Sequence, residues 1–111
     1  MEALKTLKML QTFIKLKPIS VVVFSTRTCV VCKPLKAKIN QVIGTSLSEV
    51  DLNVGEVFLE DVEEAKGQYQ VYTAPIVLVF VEGKEVKRYS AAIDLKAFEG
   101  VIDRYNQLMK D

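Results

Sequence analysis

Apolar residues recur along this chain at two spacings, and the alternation between them predicts most of its elements. Leu4, Leu7, Leu10, Phe13 and Ile14 fall close to helical spacing, which predicts an amphipathic helix over residues 2–16, stopped by Pro18. Ile19 to Ser25 is short, apolar and rich in valine, as suits a strand buried on both faces. Leu35, Ile39, Val42 and Ile43 form a second helical stripe, with Gly44 where a C-terminal cap would stand. Residues 45–55, small and acidic, read as a loop, and Glu56 to Glu60 as a second strand. Asp61 with Glu64 has the spacing of a capping box and predicts a short helix through about Tyr69. Pro75 introduces the run IVLVFV, a fully buried strand that turns at Glu82-Gly83-Lys84 and returns over Glu85 to Ser90 as a hairpin. Asp94 is placed to cap a last helix with Leu95, Phe98, Ile102, Tyr105 and Leu108 on one face.

The predicted order is αβαβαββα. Apolar strands between amphipathic helices imply an α/β protein whose four-stranded mixed sheet is covered by helices on both sides. The first two strands, joined through a helix, are expected to be parallel with a right-handed connection, and the closing hairpin antiparallel. No repeat or linker interrupts the 111 residues, so residues 1–111 are expected to form one domain.

Composition changes this picture little. Half of the residues are hydrophobic and the net charge is +1, which argues against disorder. Met1 to Pro18 could be mistaken for a signal peptide, but Lys5, Lys8, Lys15 and Lys17 interrupt its apolar residues and no small-residue cleavage site follows. No apolar run approaches the roughly 20 residues of a membrane span. A cytoplasmic protein without membrane contact is therefore expected. Charge is segregated: residues 1–48 carry eight basic side chains against Glu2 alone, and residues 49–65 carry seven acidic ones and no base. Such runs are usually solvated faces, or else surfaces that steer a protein partner. Nucleic acid is not expected, because the basic residues are not interleaved with aromatics and the charges nearly cancel.

The candidate chemistry lies in FSTRTCVVCKP, residues 24 to 34, which holds both cysteines of the chain, Cys29 and Cys32. Three readings stand side by side: a redox pair, half of a metal site, or two small core residues. A strand feeding C-x-x-C at the start of a helix suits redox work, because the helix N-terminus carries about half a positive charge and free N–H groups that favour a thiolate. Arg27 and Lys33 add positive charge nearby, and Cys32, about one turn along, is placed to reach the sulfur of Cys29. In a cytosolic βαβ setting this motif points to redox activity. A structural zinc site wants four ligands, and the chain has two cysteines and no histidine.

With these residues the chain resembles the thioredoxin family over nearly its whole length. VVVFS followed by T-R-T-C-V-V-C-K is similar to the family's active-site strand, loop and helix. Y-Q-V-Y-T-A-P-I-V-L-V-F is similar to its cis-proline segment, and V-E-G-K-E-V to the hairpin that follows. The resemblance implies a thioredoxin-like fold with Cys29 as nucleophile, Cys32 as resolving thiol and Pro75 as a cis residue facing them. The bare sequence offers a trans proline opening a strand instead. The resemblance further implies that Thr28, Val30, Val31, Thr73, Ala74 and Pro75 contact substrate, with the Ala74 backbone pairing with a substrate peptide.

Several positions depart from the family pattern. Thr28 and Val30-Val31 stand where thioredoxins proper have tryptophan and Gly-Pro. Val23, six residues before Cys29, replaces a buried aspartate to which the proton transfers of the resolving thiol are generally assigned. The family's glycine after the hairpin is Ala91 or Ala92, and Pro34 lies early in its helix, where a kink is expected. The implied activity is reversible dithiol–disulfide exchange on protein or small thiol substrates, with electrons from a reductase or a low-molecular-weight thiol. No cofactor and no metal are implied, and a monomer is the default. Two alternatives remain. One is a thioredoxin-like module that binds proteins without turnover. The other is glutaredoxin-type glutathione chemistry, against which S-A-A-I-D lacks the paired glycines.

Overall fold

The computed structural model describes residues 1–90 and 92–110. Its centre is the valine-rich strand β2 (Ile19–Ser25), every residue of which is buried. Among the described residues the elements are, in chain order, β1 (Glu2–Ala3), α1 (Leu7–Leu16), β2, α2 (Cys32–Gly44), β3 (Leu52–Phe58), α3 (Glu64–Tyr69), β4 (Ile76–Val81), β5 (Lys84–Ser90) and α4 (Leu95–Lys110). The strands form one sheet in the order β1-β3-β2-β4-β5. β2 runs parallel to β3 and antiparallel to β4, and β4 and β5 form the expected antiparallel hairpin. Its turn places Gly83 at φ +82°, a conformation that favours glycine.

Alternate residues of each strand feed two separate cores. Val22, Phe24, Val57 and Leu78 pack with Leu10, Phe13 and Ile14 of α1 and with Ala65 of α3. Val21, Val23, Val77 and Val79 pack on the other face with Ile39 of α2 and with Phe98 and Ile102 of α4. This two-period pattern is what the sequence displays, so the mixed sheet covered on both sides follows directly.

Four expectations need correction. The sheet has five strands, not four, because residues 2–16 are not all helix. Thr6 caps α1, its Oγ1 accepting from the Met9 N–H at 3.1 Å. That frees Glu2 and Ala3 to pair with Gly55 and Glu56 of β3. β3 also begins at Leu52 rather than Glu56. Its alternation is masked by Gly55, where a Cβ would lie 2.8 Å from Leu4 Cδ1 and 3.0 Å from Phe13 Cε2, so a larger residue requires those side chains to shift. Asp61 does not cap α3, which has no side-chain cap, because Arg27 engages it instead. Pro34 removes no helical hydrogen bond: α2 starts at Cys32 and its first bond is from the Leu35 N–H to the Val31 carbonyl, so Pro34 sits in the first turn. At the other end of the chain Asp94 does cap α4, accepting from the N–H groups of Lys96 and Ala97 at 3.0 and 3.3 Å.

Candidate active site

Where β2 leaves the sheet, the chain makes two tight turns before it enters α2. The Cys29 N–H donates to the Thr26 carbonyl at 3.2 Å, and the Cys32 N–H to the Cys29 carbonyl at 3.4 Å. The second turn brings the two Cα atoms to 5.5 Å, and the cysteines are joined as a disulfide. Cys29 is partly exposed in the loop. Cys32, the first residue of α2, is only 2% exposed. The pair thus has one accessible and one protected member.

Two grooves flank the disulfide. One, of about 480 Å³, is lined by Cys29, Cys32, Val30, Lys36, Glu56 and Phe58, among others. The other, of about 290 Å³, lies between Val31 and Pro34 on one side and Pro75, Ala92 and Ile93 on the other. Val30 and Val31 stand between them, 86% and 58% exposed. The peptide bond between Ala74 and Pro75 is cis. Because Phe24 is opposite Ile76 in the β2–β4 register, Pro75 stands at the end of the sheet from which the cysteine loop emerges. Of the residues singled out from the sequence, Cys29, Cys32 and Val30 meet in the first groove, and Val31 and Pro75 in the second. Thr28 and Thr73 are exposed and line neither, and Ala74 reaches the grooves only through its neighbour Pro75. Ala92 takes the place opposite Pro34, while Ala91 lies outside the described residues.

The charges around the disulfide are arranged differently from the sequence expectation. Arg27 is not a free positive charge beside Cys29. Its guanidinium forks onto Asp61 at 3.0 and 2.8 Å, and its backbone N–H donates to Glu60 at 2.8 Å. The Arg27 hydrogen bond holds the Asp61 carboxyl below its ordinary value, and the Arg27 backbone N–H does the same for Glu60. What remains to favour a thiolate at Cys29 is the start of α2 and the exposed Lys33 in its first turn.

Three groove residues were not legible as site residues: Lys36, Glu56 and Phe58. Lys36 Nζ lies 3.3 Å from a Glu56 carboxylate oxygen, the two side chains being 15% and 21% exposed. The same ammonium stands 4.4 Å from the centre of the Phe58 ring, and the Arg27 guanidinium 4.6 Å from it. The available signal was an acid within the alternating positions Leu52, Val54, Glu56 and Phe58, a face otherwise apolar. Among the described residues no cluster of three His, Cys, Asp or Glu could hold a metal ion, and no helix is long and apolar enough to cross a membrane.

A family model described as thioredoxin matches residues 4–104. The thioredoxin-like protein YdfQ of Bacillus subtilis is 26% identical over 108 residues, which cover 97% of this chain and 94% of that protein. Among solved structures, thioredoxin of Fasciola hepatica is 28% identical with a TM-score of 0.79, covering 95% of this chain and 99% of that one. A mutant thioredoxin from Halobacterium salinarum has a TM-score of 0.82 at 16% identity, covering 95% of this chain and 89% of that one, a likeness of fold.

Proposed function

The chain belongs to the thioredoxin family, and from that premise we propose that it catalyses reversible thiol–disulfide exchange on protein disulfides through Cys29 and Cys32. The observation that carries this reading is the asymmetry of the bonded pair: Cys29 is partly exposed beside the groove, whereas Cys32 is buried at the start of α2. In the reduced protein the Cys29 thiolate attacks one sulfur of a substrate disulfide, and the other substrate sulfur leaves as a thiolate. Cys32 then attacks the Cys29 sulfur, the bond to substrate breaks, and the Cys29–Cys32 disulfide forms. Two electrons have passed to the substrate, and a reductase or a low-molecular-weight thiol returns them. Val30, Val31 and the segment Thr73-Ala74-Pro75 hold the substrate chain, with Thr28 at the margin of this surface. The cycle requires no metal or organic cofactor, and the reading includes a monomer of one domain working in the cytoplasm, where such reductants are supplied.

The test is trapping. Cys32→Ser is expected to accumulate mixed disulfides on Cys29, because attack survives and resolution is lost, and Cys29→Ser is expected to capture nothing. Non-reducing gels and mass mapping read the outcome. A Cys32→Ser protein that forms no adduct with reducible protein disulfides would overturn this reading in favour of the non-catalytic binding module.

A further inference from the structure

Resolution of a mixed disulfide needs the Cys32 sulfur as a thiolate, and Cys32 is 2% exposed, so bulk water has poor access to its proton. A base on the wall of the groove that Cys32 shares is placed to take that proton. On the face of β2 that α2 covers, Val23 is fully buried and carries nothing that ionises. The parallel register sets Glu56 of β3 beside Val23. Neighbouring residues of paired strands point to the same face, so the Glu56 side chain leaves β3 on the face of Val23, from a backbone one strand spacing, about 4.8 Å, to its side. Glu56 is also the single acidic residue among those lining the groove that holds both cysteines.

The charged groups facing it there are Lys36 and Lys33 from α2 and Arg27 from the loop after β2. Arg27 is already held by Asp61 and Glu60, which leaves Lys36, 3.3 Å away, as the partner of Glu56. A carboxylate only 21% exposed is partly desolvated, and the paired ammonium offsets that cost. The ammonium is in turn fixed by the Phe58 ring at 4.4 Å. A charged pair that joins β3 to α2 on the wall of the disulfide groove has no evident task in holding the fold that apolar residues would not do as well.

Resting on the exchange reaction proposed above, we infer that Glu56 accepts the proton of Cys32 during resolution and that Lys36 is the positioning residue that holds its carboxylate toward the groove. The step balances: the Cys32 proton passes to the carboxylate, the Cys32 sulfur bonds to the Cys29 sulfur, and the bond from Cys29 to substrate breaks. The departing substrate thiolate then takes up a proton, and the carboxylate is restored.

The rate advantage has a ceiling. An unperturbed thiol, with a pKa of about 8.5, is only about 3% thiolate near pH ~7, so a relay is worth at most roughly 30-fold there. The experiment is stopped-flow reaction of the reduced protein with an aromatic disulfide that releases one coloured thiolate on attack by Cys29 and a second on resolution by Cys32. Glu56→Gln is expected to keep the first release and to slow the second by about tenfold or more near pH ~7. Its second release should also climb steeply with pH, because it then follows the thiolate fraction alone. Glu56→Asp should recover most of the rate and the flatter pH profile, which a merely structural role would not produce. Lys36→Gln/Glu56→Gln, which leaves no unpaired ammonium, should repeat the Glu56→Gln kinetics and serves if the single variant does not fold. A second release in both Gln-bearing variants within about twofold of wild type across this pH range would overturn the relay while leaving the exchange reaction intact. Absence of any second release in the wild-type protein would overturn the exchange reading itself, and the relay with it.

Discussion

Replacing Val23 by aspartate puts a carboxyl into a position with no exposure, between Glu56 on β3 and Val77 on β4. Three terms set the cost. Losing the buried isopropyl group removes roughly 1.5 kcal/mol. Burying a carboxyl without a prepared partner costs about 1–3 kcal/mol on the scale of protein substitutions. The new group also leaves a backbone about 5 Å from that of Glu56, on the same face, and two full charges at that spacing would repel by roughly 3 kcal/mol at an effective dielectric of about 20. The pair relieves this last term by sharing Lys36 and by keeping one proton between two carboxyls. The expected loss is therefore about 3–5 kcal/mol, enough to weaken a typical domain of ~5–15 kcal/mol without unfolding it. Equilibrium urea unfolding of the oxidised protein, followed by far-ultraviolet circular dichroism, measures it.

The pH dependence gives this prediction its sign. Burial and the adjacent acid raise the pKa of the introduced carboxyl, so the folded state binds more protons than the unfolded one. Stability of Val23→Asp should then fall as pH rises, and the deficit against wild type should shrink on going from neutral to mildly acidic buffer. In the two-step release assay Val23→Asp should not accelerate resolution, because a carboxylate already serves Cys32 from the neighbouring strand. A loss below about 1 kcal/mol would refute the buried, apolar reading of this position. A clear acceleration of the second release would refute the assignment of Glu56.

Two further outcomes follow from the packing and the loop charges. Gly55→Ala ordinarily gains in a strand, but its Cβ would lie 2.8 Å from Leu4 Cδ1 and 3.0 to 3.1 Å from the Phe13 ring, so a net loss of about 1–3 kcal/mol is expected. Unchanged thermal stability would mean that those two side chains yield. Asp61 and Glu60 are held below their ordinary carboxylate values, so their contribution is complete above the unfolded range of about 4 and is lost as pH falls through the lowered folded values. Thermal melts should therefore show stability dropping on acidification below pH ~4, and Arg27→Ala, which frees Asp61 but keeps the backbone N–H on Glu60, should reduce that drop without abolishing it; an equal drop in both proteins would place the acid sensitivity elsewhere.

The sequence shows those parts of the fold that rest on side-chain period. The valine-rich centre, the helical stripes and the final hairpin each bury one predictable set of residues. What it hides depends on pairing between segments. β1 is two residues of backbone attached to Gly55 and Glu56, and no pattern so short can announce itself. The first half of β3 is hidden by Asn53 and Gly55, whose side-chain choices answer to α1: Asn53 donates to the Phe13 carbonyl at 3.1 Å, and Gly55 makes room for the Phe13 ring. The cysteine pair was legible because its chemistry is written within four consecutive residues. Glu56 and Lys36 were not, since they lie twenty residues apart in the chain and meet only through the β2–β3 register.

That register also explains the segregation of charge. Read along the chain, a basic first half followed by an acidic stretch suggests two faces turned to solvent or to a partner. β2 and β3, however, are adjacent and parallel, so the segments before them meet at one end of the sheet and the segments after them at the other. Lys17, before β2, pairs with Asp51, before β3, at 2.8 Å. Arg27, after β2, pairs with Asp61, after β3, at 2.8 Å. Lys36 of α2 reaches down to Glu56 within β3. Opposite charges in two consecutive regions of sequence thus become cross-links between neighbouring strands and the helix above them. The two outer pairs are largely exposed, so solvent screens them and each adds little to stability. They favour the parallel register over a shifted one more than they stabilise the fold, since a slip would bring Arg27 and Lys17 away from their acids. The inner pair is the less exposed of the three, and the same register that draws it together also carries it to the wall of the disulfide groove. A charge pattern that looks like a surface for partners is, in this fold, what places a carboxylate on the wall of the groove that holds the buried cysteine.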